Sequence, residues 1–68
     1  MPLFKTRMRV FRAEREWSQA NLAARAGVTR QTINSIEKGR FRPNLPLAFK
    51  IDRAFGKQIA EVFLYEDI

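Results

Sequence analysis

The chain has no cysteine and no histidine among its 68 residues. Without cysteine there is no disulfide, no thiolate metal site and no sign of an oxidising compartment. Without either residue, the common nucleophile–base pairings are missing. There is also no glycine-rich phosphate loop and no carboxylate pair with an evident base, so catalysis is not expected, nor is a metal or other cofactor. Long apolar runs are absent too: the longest, counting tyrosine, is Val62 to Tyr65. That is too short to span a bilayer, and the first residues hold no apolar signal core, so a cytoplasmic protein is expected. We find no repeat, low-complexity tract or linker. The length allows one domain, 1–68, whose small core needs tight helix packing or a partner subunit.

Positive charge is abundant. Thirteen Lys and Arg against seven Asp and Glu leave a net charge of +6, which suits a partner that is a polyanion. The charge is uneven. Ser18 to Pro43 carries Arg25, Arg30, Lys38, Arg40 and Arg42 but only the acid Glu37, whereas the balance reverses from Gly56 to Ile68. An acidic membrane surface fits less well, because no segment joins a basic face to a strongly apolar one.

Helical periodicity organises most of the chain. Met8, Phe11 and Arg15 share a stripe, giving a first helix from Met8 to Arg15. Ser18 is an N-cap for a second helix, Gln19 to Ala26, with Leu22, Ala23 and Ala26 on one side and Gly27 closing it. Thr29 caps a third helix that ends near Lys38, and Gly39 closes that one. A loop held by Pro43 leads to a fourth helix, from about Leu45 to Phe55, that tolerates Pro46 in its first turn. Gln58 to Phe63 forms a short fifth helix. The segments "LFKTR" and "FLYED" are expected to pair as brief strands.

The stretch "TRQTINSIEKGRFRP" carries the functional signal. Ile33 and Ile36 would anchor the third helix, leaving Arg30, Gln31, Asn34 and Lys38 on its outer face. The second and third helices, joined by about four residues around Gly27, have helix-turn-helix geometry, with Ala23 small enough for a close crossing. The segment "SQANLAARAGVTRQTINSIEKGRFRPNL" resembles the lambda-repressor-like (Xre/Cro-type) helix-turn-helix regulators. The resemblance runs from about Met8 to Phe63. It rests on Ser18-Gln19, Leu22-Ala23, Gly27-Val28, Thr32-Ile33, Ile36-Glu37, Gly39 and Pro43 at the family's spacings. The ending looks like a small single-domain subgroup with short terminal strands and a dimeric state.

The resemblance implies an all-α, compact five-helix domain with its helix-turn-helix at about 19–38. It implies a dimeric repressor that reads a pseudo-palindromic operator in double-stranded DNA. Arg30, Gln31 and Asn34 match positions that reach base edges, with Thr32 and Thr29 near a thymine methyl or phosphate. Arginine suits guanine O6 and N7; glutamine and asparagine suit adenine N6 and N7. Gln19 would bond a phosphate and brace the third helix, and Lys38, Arg40 and Arg42 would contact the backbone. Arg12 matches a position that pairs with the acid at Glu37.

Other residues are read from the chain itself. Ile59, Val62, Phe63 and Leu64 are unusually apolar for a small surface and are expected at a homodimer interface. Phe11, Trp17, Phe49, Phe55 and Phe63 are read as core or interface residues rather than base-stacking platforms. Asp52 falls on the inward stripe Ala48, Ile51, Asp52, Phe55, where the family usually has alanine. It needs a partner, for which a nearby arginine is expected, or a place at the wet edge. An antitoxin, which binds both its operator and a partner protein, is the alternative function. RNA binding and a purely structural role also remain open at this point.

Overall fold

In the computed structural model, residues 5–64 are described, and they run β1 (Lys5–Thr6), α1 (Met8–Arg15), α2 (Gln19–Ala26), α3 (Arg30–Glu37), α4 (Leu45–Phe55), α5 (Ile59–Val62) and β2 (Phe63–Leu64). The strands are antiparallel, with Lys5 opposite Leu64 and Thr6 opposite Phe63. The rest of the expected strand segments, Leu3, Phe4 and Tyr65 to Asp67, lies outside the described residues. No helix here is long and apolar enough to cross a membrane.

Capping chemistry sets the helix starts. Ser18 Oγ accepts the Asn21 N–H at 3.0 Å, Thr29 Oγ1 accepts the Thr32 N–H at 3.1 Å, and Asn44 Oδ1 accepts the Leu47 N–H at 3.0 Å. Each oxygen satisfies one of the donors that a helix N-terminus leaves unpaired. At the turn between α2 and α3, Gly27 has φ 71° and its N–H and that of Val28 bond back to carbonyls of α2. A β-carbon at Gly27 would meet nothing within 4 Å, so the dihedral, not space, selects glycine there.

The core joins all five helices and β2. Met8, Leu22, Ile33, Ile36, Ile51 and Val62 are fully buried, with Phe11, Ala23, Ala26, Ala48, Phe55 and Phe63 around them. Trp17 packs against this cluster and stacks on Phe55, with ring centres 5.7 Å apart at 18°, and Phe11 meets Phe55 at 5.6 Å, tilted by 58°. Phe49 departs from the core or interface expectation as regards the core, since it is 48% exposed on the outer side of α4. Asp52 is half-buried, and among the described residues no cation pairs with its carboxylate. The expected arginine partner is therefore replaced by the stripe's wet edge, where water solvates the charge. Of the four residues expected at a dimer interface, Val62 and Phe63 are buried, 0% and 2% exposed, in the core of the domain, with Phe63 also at the floor of a recess lined by Ile59, Ala60 and Leu64. Ile59 and Leu64 keep partial exposure.

The end of α1 has no glycine. Glu16 takes φ 56° and ψ 38°, a left-handed conformation that costs an L-residue about 1–2 kcal/mol. Glycine relieves that cost but loses more chain entropy on folding. Glu16→Gly is therefore expected to raise the unfolding free energy by about 0.5–1 kcal/mol. Urea denaturation checks this, and a lowered midpoint would show that the bend is not strained.

Candidate nucleic-acid interface

The outer face of α3 follows from what its inner face must do. Ile33 and Ile36 are fully buried, so the helix cannot rotate without losing core. Arg30, Gln31 and Lys38 are consequently exposed, and Thr32, Asn34 and Ser35 half-exposed. After Gly39, the N–H groups of Arg40 and Phe41 both bond to the Ser35 carbonyl, at 3.0 and 3.3 Å. These bonds fold the loop back against the end of α3. Gly39 and Pro43 are buried, while Arg40, Phe41 and Arg42 are exposed. Exposed cations and amides thus occur at the start of α3, at its end and in the loop that follows.

Thr29 and Thr32 are tied together at the N-terminus of α3. Their hydroxyls lie 3.0 Å apart, and Thr29 also caps the backbone. The N–H groups of Arg30 and Gln31, in the first turn, have no intrahelical acceptor by helix geometry and favour an anion there. A shallow depression is bounded by Thr29, Gln31, Thr32, Ser35 and Phe41. Ser35 and Phe41 were not singled out from the sequence. Ser35 lies one turn beyond Gln31 on the same face, a spacing that could have found it. Phe41, 47% exposed between two arginines, had no such signal.

On the other side of α3 lies a bonded cluster. Arg12 Nε donates to Glu37 Oε2 at 2.6 Å, and Arg12 Nη2 donates to Glu37 Oε1 at 3.0 Å. Arg12 Nη1 donates to the Trp17 carbonyl at 3.0 Å, which ties the pair to the α1–α2 turn. The side chains are 15% and 3% exposed, so the carboxylate is buried and the guanidinium largely covered. Gln19 Nε2 donates to Glu37 Oε1 at 3.1 Å and to Asn34 Oδ1 at 3.2 Å. Both of its amide protons are thereby used within the protein. A phosphate accepts hydrogen bonds only, so a contact by this amide would have to break one of these two. The backbone N–H of Gln19, first in α2, is the donor better placed for a phosphate. Arg9 and Lys38 complete the recess beside this cluster.

Several cations are occupied elsewhere. Arg15 donates to the carbonyls of Phe11 and Phe55 and lies over the Phe11, Trp17 and Phe55 rings. Arg25 sits over Trp17 with 4.1 Å from its guanidinium carbon to the ring centre. No group of three or more metal-binding side chains occurs among the described residues.

Comparison with known proteins places this geometry. A family model described as helix-turn-helix matches residues 8–62. An uncharacterised HTH-type transcriptional regulator, MJ0272 of Methanocaldococcus jannaschii, is 48% identical over 63 residues, covering 93% of this chain and 96% of that protein. YgzD of Bacillus subtilis, also an uncharacterised HTH-type regulator, is 43% identical over 63 residues, with 93% and 96% covered. Among solved structures, the restriction-modification controller protein C.AhdI of Aeromonas hydrophila superposes with a TM-score of 0.75 at 27% identity, covering 81% of this chain and 83% of that one.

The Arg12–Glu37 pair generates a stability prediction. Removing one partner of a buried pair strands the other charge, which costs about 3–5 kcal/mol. Glu37→Ala is expected to lower the unfolding free energy by about 3 kcal/mol in urea denaturation. A loss under about 1 kcal/mol would put the pair in the class of solvated surface bridges.

Proposed function

This chain belongs to the Xre/lambda-repressor-like helix-turn-helix family of transcriptional regulators, and from that premise we propose that it is a dimeric, cytoplasmic repressor reading a pseudo-palindromic operator in double-stranded DNA. The observation that carries this reading is the outer face of α3. Its inner face is locked by Ile33 and Ile36, and its outer face presents Arg30, Gln31, Thr32 and Asn34. A helix of this width fits the major groove, where such side chains meet base edges. Arg30 and Gln31 read bases from the first turn; Thr32 and Asn34 lie one step further in. Thr29, Lys38, Arg40 and Arg42 hold the phosphate backbone on either side, together with the N-terminus of α2 at Gln19.

Dimerisation follows from scale. One module of this size covers about 600–1,000 Å² of interface, short of what the usual specific affinity requires. Two copies related by a twofold axis match a palindrome. The partly exposed Ile59 and Leu64, with Ala60 between them in the chain, border an apolar recess at the α5–β2 end, and the contact between copies is assigned there.

Two classes of mutant test the DNA reading. Arg30→Ala or Gln31→Ala is expected to cost about 1–3 kcal/mol on a site selected from random duplexes and to relax preference at one or two base pairs. Arg40→Ala is expected to weaken all duplexes alike and to reduce the salt slope by about one. Unchanged site preference in a folded Arg30 or Gln31 variant would remove α3 as the reading element.

Assembly is tested by sedimentation with and without DNA. A twofold dimer is expected, weakened by Ile59→Asp or Leu64→Asp. A strict monomer at tens of micromolar in both conditions would rule the dimer out.

A further inference from the structure

Phe41 is a large apolar side chain on an otherwise polar, basic surface. It is 47% exposed and stands between the exposed Arg40 and Arg42. The other exposed large hydrophobics among the described residues are elsewhere, Val10 on α1 and Leu45 and Phe49 on α4. Phe41 is placed by its backbone rather than by the core. The N–H groups of Arg40 and Phe41 share the Ser35 carbonyl, which pins the loop to the last turn of α3. Phe41 thereby closes one side of a depression whose other sides are Thr29, Gln31, Thr32 and Ser35. By helix geometry, Gln31 and Ser35 lie on the side of α3 opposite the buried Ile33 and Ile36. The depression therefore borders the outermost strip of the helix. The Thr29 and Thr32 hydroxyls are 3.0 Å apart and bond each other, so the polar groups there are partly spent.

The chemistry of the major groove limits what such a ring can meet. Base edges present nitrogen, oxygen and amino groups, and the thymine 5-methyl is the apolar group among them. A phosphate gains nothing from a phenyl ring, which has no donor to offer, and is better served by the arginines on either side. We propose that Phe41 is a specificity-determining residue whose ring packs on the 5-methyl group of a thymine, and so favours that base over any that lacks the methyl. This rests on the reading that α3 enters the major groove. It goes beyond the thymine or phosphate contact expected of Thr29 and Thr32, because the ring comes from the loop, where only phosphate contacts were expected.

The experiment uses the full chain on its selected duplex, with each thymine replaced singly by deoxyuridine, which deletes only the 5-methyl group. At one thymine of a half-site, this deletion should lower wild-type affinity about fourfold, the loss of one buried methyl group. Phe41→Ala, checked for folding by circular dichroism, should bind the thymine duplex more weakly and no longer distinguish thymine from deoxyuridine there. Phe41→Leu, which keeps an apolar side chain, should retain a difference of about twofold. The salt slope of Phe41→Ala should equal that of the wild type, whereas Arg40→Ala lowers it. A deoxyuridine effect undiminished in Phe41→Ala would return the methyl contact to the threonines and overturn the proposal. So would a wild type indifferent to every deoxyuridine, or a lowered salt slope in Phe41→Ala, which would make the ring a support for the arginine loop. Failure of the wild type to bind any duplex is a distinct result: it would sink the DNA-reading function itself, and this proposal with it.

Discussion

The arrangement of this molecule depends on one buried ion pair. Glu37 is the last residue of α3 and Arg12 is in the middle of α1, 25 residues earlier in the chain. A carboxylate with 3% of its side chain exposed is tolerable only when both oxygens are hydrogen-bonded, and three bonds from Arg12 and Gln19 do this. Each donor comes from a different helix, so satisfying one charge sets the positions of α1, α2 and α3 together. The third Arg12 donor bonds the Trp17 carbonyl and fixes the turn between α1 and α2 as well. Burial of Ile33 and Ile36 sets which face of α3 turns inward. A two-bond guanidinium–carboxylate contact at 2.6 and 3.0 Å adds a directional constraint.

The same economy divides the cations. Arg12, Arg15 and Arg25 each have a partner within the protein: Arg12 pairs with Glu37, Arg15 lies against the Phe11–Trp17–Phe55 aromatic cluster, and the exposed Arg25 covers the Trp17 ring. Arginine suits this use because its planar, weakly hydrated head bonds and stacks at once. The position of the net charge of +6 therefore says more than its size. Arg30, Lys38 and Arg40 are exposed along α3 and the following loop, where the acid Glu37 is neutralised from behind by Arg12. A charge that would repel phosphate is thus turned into a brace.

Much of the fold was legible in the sequence, for physical reasons tied to particular residues. Ser18, Thr29 and Asn44 mark helix starts because a short side-chain oxygen is the cheapest partner for an unpaired N–H. Gly27, Gly39 and Gly56 mark helix ends because all three take positive φ. The end of α1 lacked that signal, since Glu16 adopts the left-handed conformation without being glycine. Burial at the C-terminus was harder to read. Ile59, Val62, Phe63 and Leu64 form one apolar group in the sequence. The packing of α5 buries Val62, and the return of β2 alongside Lys5–Thr6 accompanies the burial of Phe63. Asp52 fits the inward stripe by spacing alone, whereas its half-exposure depends on how α4 is tilted, which periodicity does not encode. For the site, the sequence supplied residue types and the face they share. It could not supply the direction of the Gln19 and Asn34 amides, because that comes from three helices meeting at one carboxylate.

Stability alone does not explain why a buried pair stands at this place. Well-packed apolar side chains of similar volume often serve a core as well as a buried ion pair or better, since ions lose much of their mutual attraction to desolvation. An apolar pair at positions 12 and 37 would still join α1 to α3. It would leave Gln19 without the carboxylate that fixes its nitrogen inward, and the Gln19 and Asn34 amides could then pair in either sense, each able to donate to the other. The ion pair adds polarity, a direction that packing lacks. In a domain this small, each side chain at the recognition face is one step from the core. The charge that holds the helix in place therefore also orients, through Gln19, the Asn34 amide on that helix.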